Sequence, residues 1–447
     1  MDIKVFKFGG ASVQDASGVK NVAVILRRFA DTPVITVVSA MGKTTNALED
    51  VLNYYLQQDT FRLIEAYNTV KAYHQNILNE LFPDKNHFVF KYIDSLFDQL
   101  RGYIRKGHLY SKLPSVPDYD FEYDQIVSFG ELFSSSVLYY FLLEEGLNVA
   151  HLDVREMIKT DRSYRDARVD WKRTPPLIKQ TISRCFSKRE KRGAIALTQG
   201  FLGCDPDGNT TTLGREGSDF TAAIFAWSLQ IKEMTIWKDV PGIMNADPKW
   251  MKNTVKLDSI SYREAIELAY YGASVIHPKT IKPLENANIV LRVKSFFDPE
   301  SQGTVIENLP IWNIPVPIFI RKQNQVLISL STRDFSFILE ENLSQIFNIL
   351  ANFRVKVNVM QHSAISFSIC VDADTMKIPR MLSLLKKEYQ TRYNEGLELI
   401  TIRHYQPETQ VKYFGNRIIL MEQKSRNTLQ VVMEKEETGG QPVQTKG

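Results

Sequence analysis

The sequence predicts an α/β protein with an open, mainly parallel sheet and helices on both faces, followed by a smaller α+β region. The chain opens as strand, helix and strand: Lys4–Phe8 is short and β-prone, apolar residues recur at helical spacing over 19–30, and 34–38 is a continuous apolar run. Such a run is typical of a strand buried on both faces of a parallel sheet. Beyond the proline-containing segment 308–317, the pattern changes to short alternating strands around one helix.

These patterns divide the chain into two predicted domains. Residues 1–307 form the α/β domain, with a predicted helical insertion at about 46–122, and residues 318–447 form the α+β region. In the first domain the further predicted helices are 131–143, 220–229 and 261–271, and the further predicted strands are 148–153, 194–198, 234–237 and 289–294. In the second region the predicted strands are 326–331, 355–361, 366–371, 397–405, 418–424 and 429–433, and the predicted helix contains Leu343, Phe347 and Leu350.

Composition and charge disfavour several classes of protein. Among 447 residues, 55 Lys and Arg stand against 51 Asp and Glu, and no long basic run indicates nucleic-acid binding. Cys185, Cys204 and Cys370 are far apart in the sequence, which argues against a disulfide framework or a zinc site. The N-terminus lacks the pattern of a signal peptide and no apolar run reaches about 18 residues, so we expect a cytoplasmic protein without a membrane span.

Gly42-Lys43-Thr44 resembles the end of a phosphate-binding P-loop. The first glycine of that motif would fall at residue 37, which is Val37, so a P-loop is not predicted. The sequence also lacks the glycine pattern of dinucleotide-binding dehydrogenases and the His-Arg-Asp catalytic loop of protein kinases. Any phosphate chemistry must therefore depend on other loops.

Polar clusters follow several predicted strands, at the positions where ligands bind in open α/β sheets. After the first strand, Gly9 and Gly10 would let the backbone approach an anion, and Lys7 would supply a positive charge. Ser39, after the second strand, could contact the same phosphate oxygens. A tight turn with a solvated Lys7 explains these residues equally well, so the spacing alone leaves both interpretations open.

A second cluster lies in 211–219, immediately before a predicted helix. Arg215 can clamp a carboxylate through two parallel hydrogen bonds. Ser218 and Asp219 could contact a ligand at the start of the helix, or they could simply cap it. The residue types therefore predict either a carboxylate-binding loop or an ordinary helix cap.

Two further charged positions also have two interpretations each. Glu131 could hold an ammonium group, or it could be an acidic first-turn residue favoured by the helix dipole. Segment 237–249 runs from a strand into a Pro-Gly turn that could wrap a nucleotide, although taken alone it is more often just a turn. His277 precedes a proline, and a histidine in that position is usually structural.

Taken in order, these clusters resemble the motifs of the aspartate kinases. The resemblance covers about residues 3–305 and extends more loosely over 320–400. The matching segments are Lys7-Phe8-Gly9-Gly10-Ala11-Ser12-Val13, Val38-Ser39-Ala40-Met41-Gly42 with Thr45-Asn46, Ser128-Phe129-Gly130-Glu131, Asp153-Val154-Arg155, Gly214-Arg215-Glu216-Gly217-Ser218-Asp219, Lys238-Asp239-Val240-Pro241-Gly242-Ile243 and Gly272-Ala273-Ser274-Val275-Ile276-His277-Pro278. One such motif would be weak, whereas seven in the order of the family are specific.

The resemblance implies an amino acid kinase fold with C-terminal regulatory units of the ACT type. It implies the transfer of phosphate from ATP, with Mg²⁺, to the side-chain carboxylate of L-aspartate. The product would be L-aspartyl-4-phosphate, the first intermediate toward lysine, threonine and methionine. A homodimer or higher homo-oligomer with an amino-acid effector at the ACT-like region is also implied, without nucleic acid or membrane as a partner.

The resemblance also implies roles for individual residues, and it assigns no metal ligand. Lys7 and Asp219 are the expected catalytic residues. The expected aspartate-binding residues are Thr45, Glu131, Arg215 and Ser218. The expected nucleotide-binding residues are Lys7, Gly9, Gly10, Ser39, Lys238, Asp239, Met244, Lys249 and Ser274.

Three residues depart from the family pattern. Glu216 replaces a glycine and brings a negative charge next to an anionic substrate. Lys238 stands where many members have threonine. Ser274 stands where many members have a lysine that reaches the nucleotide, a role that the nearby Lys279 could take over.

Two alternative functions remain open. Another amino acid kinase, acting on glutamate, acetylglutamate or uridylate, is disfavoured by the long helical insertion and by the ACT-like region. A catalytically inactive amino-acid sensor is disfavoured because the expected site residues Lys7, Glu131, Arg215 and Asp219 are retained. The departures at Glu216 and Ser274 leave a small opening for it.

The ACT-like region departs from the lysine-inhibited members of the family. Segment 357–363 resembles the effector segment, and those members usually carry an aspartate where Asn358 stands. Asn358 offers no charge to pair with the amine of a lysine effector. The second ACT-like unit is degenerate, because the link 406–415 is too short for the usual long helix. We therefore expect weak or absent inhibition by lysine.

Overall fold

The computed structural model describes residues 3–110, 119–187, 193–273, 276–309, 316–334, 336–406, 414 and 417–435. The chain forms two compact units. The first unit comprises Met1–Ile243, Lys256–Ile266 and Val275–Trp312, and the second comprises Met244–Val255, Glu267–Ser274 and Asn313–Gly447. Two short segments before residue 275 thus group with the C-terminal part of the chain.

The first unit alternates strands and helices. Its strands are β1 (Lys4–Phe8), β2 (Val34–Val38), β3 (Val149–Leu152), β4 (Ile195–Gln199), β5 (Leu202–Cys204), β6 (Thr210–Thr212), β7 (Glu233–Lys238), β8 (Ser259–Ser261), β9 (Val290–Ser295) and β10 (Thr304–Glu307). A short 3₁₀ helix covers Gly10–Val13. The α-helices are α1 (Ala16–Arg27), α2 (Thr44–Leu56), α3 (Thr60–Leu81), α4 (Phe88–Tyr110), α5 (Tyr119–Val127), α6 (Phe129–Glu144), α7 (Val154–Met157), α8 (Thr174–Ser187), α9 (Gly217–Leu229), α10 (Tyr262–Tyr271, continuing into the second unit) and α11 (Pro278–Asn286).

Eight strands form the main sheet, in the order β3-β4-β2-β1-β7-β9-β10-β8. The pairs of this sheet are parallel except β9 with β10. All five residues of β2 are buried, as its continuous apolar run predicted, and all five residues of β4 are buried too. The prediction of an open, mainly parallel sheet is confirmed. The sequence did not reveal the small β5–β6 hairpin, whose strands have only three residues each.

Parallel pairing brings the carboxyl ends of the central strands together at one edge of the sheet. Phe8 of β1 is in register with Val38 of β2 and with Trp237 of β7, and Val38 is in register with Gln199 of β4. The loops that follow these four strands therefore start side by side. Gly9 and Gly10, Ser39, and Asp239 lie in the loops after β1, β2 and β7.

Helices α2 to α6 pack on one another through a largely aromatic core. Phe97 of α4 stacks on Phe133 of α6 with ring centroids 4.1 Å apart, and the buried His74 of α3 lies against both rings. Among the described residues, Tyr119–Glu144 is a helical stretch long and apolar enough to cross a membrane, but 72% of its most apolar window is buried inside the protein. Such burial is what the core helices of a folded domain show.

The second unit is built on one antiparallel sheet. Its strands are β11 (Ile318–Ser331), β12 (Val357–His362), β13 (Ser366–Asp372), β14 (Gln390–Arg403), β15 (Ile419–Lys424) and β16 (Thr428–Glu434), in the order β12-β13-β11-β14-β16-β15. Helices α12 (Glu340–Asn352) and α13 (Lys377–Glu388) accompany them in the described part of the chain. The expected C-terminal α+β region is confirmed.

The prediction of a single helix in this region was wrong. Helix α13 buries Ile378, Met381, Leu382 and Leu385, which is the i, i+3, i+4, i+7 pattern of an amphipathic helix. The proline at residue 379 and the lysines around it hide the pattern, although proline is tolerated in a first helical turn. Most of the link 406–415 lies outside the described residues.

Candidate active site

Lys7 lies at the carboxyl end of β1, and it is buried rather than solvated. Its Nζ is 2.6 Å from Oδ1 of Asp219, in the first turn of α9, and the two side chains are 11% and 4% exposed. The strand end and the helix start are thus joined by a buried ion pair. The interpretation of Lys7 as a solvated end-of-strand residue is excluded.

The loops after β1 and β2 approach each other so closely that Gly10 is required. A Cβ at residue 10 would lie 2.8 Å from the carbonyl oxygen of Ala40 and 3.0 Å from that of Gly42. The Gly42 N–H donates to the Gly10 carbonyl at 3.0 Å, and the Ser39 N–H donates to the Phe8 carbonyl at 3.1 Å. The glycines therefore let two backbone loops meet beside Lys7, in a geometry suited to an anion.

Glu131 is a buried carboxylate with spare bonding capacity. It lies in the first turn of α6 and is 3% exposed. Its Oε1 accepts from the Ala40 N–H at 3.2 Å, whereas Oε2 has no hydrogen-bond partner in the described part of the chain. Burial raises the pKa of Glu131 to about 8, although the Ala40 N–H and the Lys7 ammonium lower it in part. Such a group is suited to pairing with an ammonium ion from a ligand.

The loop before α9 presents Arg215 at the surface. Arg215 is exposed and makes no ion pair with any residue that the structure describes. Gly214 and Glu216 on either side of it both have left-handed backbones, with φ of 79° and 54°. A guanidinium held in this way is free to bind a carboxylate through two hydrogen bonds.

Ser218 and Asp219 do not cap α9, so that interpretation was wrong. The cap position is Glu216, which makes no side-chain cap hydrogen bond, and Ser218 and Asp219 lie inside the first turn. Both are buried. Gly200, which the sequence analysis did not single out, explains their position: a Cβ on it would lie 2.4 Å from Cβ of Ser218. A glycine directly after a buried strand was the signal that could have revealed this contact.

The side chain of Glu216 bonds to the start of α11. Its Oε2 accepts from the backbone N–H of His277 at 2.8 Å. His277 itself caps α11, because its Nδ1 accepts from the Lys279 N–H at 3.3 Å. The expectation of a structural histidine agrees with this position. Lys279 forms an ion pair with Asp166, so its ammonium is already engaged.

The comparisons with known proteins agree with this geometry. The profile of the amino acid kinase family matches residues 2–295. The chain belongs to the amino acid kinase family. Lysine-sensitive aspartokinase 3 of Escherichia coli (strain K12) is 28% identical over 412 residues, which cover 90% of this chain and 87% of that protein. Aspartokinase 1, a chloroplastic protein of Arabidopsis thaliana, is 30% identical over 377 residues, which cover 82% of this chain and 63% of that protein.

A solved structure extends the similarity to the whole fold. The crystal structure of E. coli aspartokinase III in complex with aspartate and ADP has a TM-score of 0.78 and 26% identity, and the match covers 97% of this chain and 96% of that one. The resemblance seen in the sequence is thus confirmed. The chain is a phosphotransferase of the aspartokinase group within the amino acid kinases.

Thr45, Lys238 and Asp239 are further predicted site residues of this kinase. Thr45 lies half-buried in the first turn of α2, directly after the loop that contains Gly42. Lys238 ends β7 and is half-buried, and Asp239 follows it in an exposed position. Both therefore belong to the same sheet edge as Lys7, and their roles stay predictions.

Met244, Lys249 and Ser274 are the remaining predicted nucleotide-binding residues. Met244 and Lys249 belong to the second compact unit. Ser274 lies outside the residues that the structure describes. All three stay predictions.

The Asp153-Val154-Arg155 motif has a structural role in the kinase. Arg155 Nη2 and Nε bind the Asp153 carboxylate at 2.6 Å and 2.9 Å, and Nη1 donates to Thr210 at 3.2 Å. These residues, with Gln199 and Ser128, line a cavity of about 810 Å³ beside α4 and α6. The motif holds the end of β3 to the β5–β6 hairpin.

Proposed function

We propose that this kinase transfers the γ-phosphate of ATP to the side-chain carboxylate of L-aspartate, giving L-aspartyl-4-phosphate. The observation that carries the proposal is the buried Lys7–Asp219 ion pair, at the strand end where two glycine-containing loops meet. An uncompensated charge there would be costly, and a paired lysine is held ready for a phosphoryl group.

The acceptor needs no general base in this reaction. A carboxylate with an ordinary pKa of about 4 is already ionised near neutral pH and can attack phosphorus directly. Catalysis then consists of placing the two reactants in line and neutralising the charge that they share. Lys7 supplies positive charge to the transferring group, and Asp219 orients that ammonium. Mg²⁺, when bound together with ATP, would supply further positive charge to the phosphate groups.

Two side chains bind the α-carboxylate and the α-ammonium group of aspartate. The free guanidinium of Arg215 binds the α-carboxylate, and the unpartnered Oε2 of Glu131 binds the α-ammonium. Thr45 and Ser218 are expected to supply further hydrogen bonds. The side-chain carboxylate is then left to face ATP.

The test is a hydroxylamine trap with alternative acceptors. The protein is incubated with ATP, Mg²⁺ and either aspartate, glutamate or N-acetylglutamate, and the acyl phosphate is detected as its hydroxamate. Uridylate, which forms no acyl phosphate, is tested by ADP release. The proposal requires hydroxamate with aspartate and its loss in Lys7→Ala. Activity with another acceptor alone would identify a different amino acid kinase, and no turnover of any acceptor would identify an inactive sensor.

The regulatory region is proposed to be ACT-like. One relative is named lysine-sensitive, and an amino-acid effector in the second unit of this chain is a proposal. That unit supplies an antiparallel sheet with two helices, on which α12 and α13 bury apolar faces. We expect a homodimer or higher homo-oligomer, which the mass of the protein in solution would test.

A further inference from the structure

Glu216 occupies a backbone conformation that disfavours its own side chain. Its φ of 54° and ψ of 31° are left-handed, a region that glycine enters freely and other residues enter at a cost. The next residue, Gly217, has no room for a side chain, because a Cβ would lie 2.5 Å from the ring of Phe201. The turn that carries Arg215 is therefore strained and tightly enclosed.

One contact compensates for this conformation. The Glu216 carboxylate accepts from the His277 N–H at 2.8 Å, at the N-terminus of α11. A carboxylate is favoured there, because it meets a free backbone donor and the positive end of the helix dipole. The bond ties the turn of Arg215 to a helix start that lies 61 positions further along the chain.

A second contact closes the other side of the same turn. The Lys279 ammonium, two residues beyond His277, forms an ion pair with Asp166. Oδ1 of Asp166 in turn lies 2.4 Å from the place where a Cβ of Gly214 would be. Residues 214 to 216 are thus enclosed between Asp166 and the start of α11. Arg215 is the exposed side chain in the middle of this turn.

We propose that Glu216 is a positioning residue, which holds Arg215 in the geometry that binds the acceptor substrate through its hydrogen bond to His277. The inference rests on the proposed function, in which Arg215 clamps the α-carboxylate of aspartate. The Glu216 carboxylate is bonded to the N-terminus of α11, so its negative charge does not oppose the anionic substrate. For positioning Arg215, residue 216 needs a side-chain oxygen that reaches the His277 N–H, and the negative charge is less important.

Three substitutions separate these features. Glu216→Gln keeps an acceptor oxygen of the same reach and removes the charge. Glu216→Ala removes the oxygen and keeps the left-handed strain. Glu216→Gly removes the oxygen and also relieves the strain. Glu145→Ala is the matched control, because Glu145 binds Arg27 beyond the far end of α6.

The measurements are kcat and the KM for aspartate and for ATP, with the melting temperature of each variant. We expect Glu216→Ala to raise the KM for aspartate about tenfold, as for one lost hydrogen bond to a charged group, with kcat at saturating aspartate close to that of the parent protein. Glu216→Gln should stay within about twofold of the parent protein. Glu216→Gly should melt at a higher temperature than Glu216→Ala but share its raised KM for aspartate.

The outcomes distinguish this inference from the proposed function. If the unmodified protein makes no aspartyl phosphate, the proposed function fails. If it does, but Glu216→Ala and Glu216→Gly keep the parent KM for aspartate, only the positioning role fails. A Glu216→Gln variant as impaired as Glu216→Ala, or a lower KM in all three variants, would show that the charge is what matters and would overturn the inference.

Discussion

Lys7 Nζ and Asp219 Oδ1 lie 2.6 Å apart at the meeting point of β1 and α9, and both side chains are almost completely buried. The pair joins two segments that are remote in the sequence. It places a positive charge next to Gly9, whose Cβ, if it had one, would lie 3.4 Å from the Lys7 ammonium. The glycine loop after β1, which is predicted to bind phosphate, and the Lys7 ammonium are therefore adjacent.

Lys7→Ala is expected to lower kcat by about 10²–10³, because the transferring phosphoryl group loses a preorganised positive charge. The KM for aspartate should change much less. The hydroxamate assay at saturating ATP and aspartate measures the effect.

The control for Lys7→Ala addresses folding. Lys7→Ala leaves Asp219 buried without its partner, which destabilises a protein by about 3–5 kcal/mol. Lys7→Ala combined with Asp219→Asn should recover part of the melting temperature without recovering turnover. A folded Lys7→Ala variant with the parent turnover would remove Lys7 from catalysis.

Arg215→Lys is expected to raise the KM for aspartate even though the charge is kept, because an ammonium cannot reproduce two parallel hydrogen bonds to a carboxylate. Arg215→Ala should raise it further. Steady-state kinetics with aspartate as the varied substrate provides the measurement. Arg162→Lys is a suitable control, since Arg162 makes an exposed ion pair with Asp207. An unchanged KM in both Arg215 variants would mean that another group binds the α-carboxylate.

Binding of aspartate is expected to depend on pH through Glu131. Its pKa is raised to about 8 by burial, so the carboxyl group is largely protonated in the free protein below that pH. The ligand ammonium favours the ionised form, so binding at lower pH must release a proton. Affinity for aspartate should therefore rise as the pH approaches about 8 and level off above it.

The KM for aspartate between about pH 6 and pH 9 tests this linkage. Glu131→Gln should bind aspartate more weakly and without the same pH dependence, because an amide neither pairs with an ammonium nor titrates. The KM for ATP serves as the internal control. A flat profile in the unmodified protein, or the same profile in Glu131→Gln, would contradict the assignment of the ammonium to Glu131.

The sequence was sufficient for the features that depend on local patterns. The buried strand β2 follows from its continuous apolar run, and β1 follows from a short β-prone segment that ends at two glycines. Helix α13 was missed because a proline and an arginine interrupt its apolar residues and lysines flank them at both ends. Local sequence patterns therefore predict the buried strands well, but they predict a short and highly charged helix poorly.

Contacts between segments that are remote in the sequence could not be predicted from local patterns. The Lys7–Asp219 pair and the Glu216–His277 hydrogen bond each depend on how strands and helices meet in three dimensions. The left-handed backbone of Glu216 is likewise set by its surroundings, because glutamate has no preference for it. This is why capping by Ser218 and Asp219 stayed open as an interpretation of the sequence, although α9 begins before them.

In the second unit, the Lys322 ammonium contacts Asn358, which stands where the resemblance implies an aspartate in lysine-inhibited members of the family. Lys322 Nζ donates to Oδ1 of Asn358 at 2.9 Å and lies 3.5 Å from Oδ1 of Asp372. Asn358 Nδ2 in turn donates to Gln325 at 2.8 Å and to Asp372 at 3.0 Å. The polar atoms of Asn358 are thus satisfied within the chain, and an external amine would have to displace Lys322.

Lysine is therefore expected to inhibit the unmodified protein weakly or not at all. Asn358→Asp alone should change little, because the new carboxylate would pair with Lys322. Only Asn358→Asp combined with Lys322→Met should gain a response to lysine, since it offers a charge and removes the internal competitor. Activity titrated with lysine, threonine and methionine, singly and in pairs, measures this, with Lys377→Met as the control for losing an exposed lysine. Strong inhibition of the unmodified protein by submillimolar lysine alone would show that the internal ammonium does not block the site.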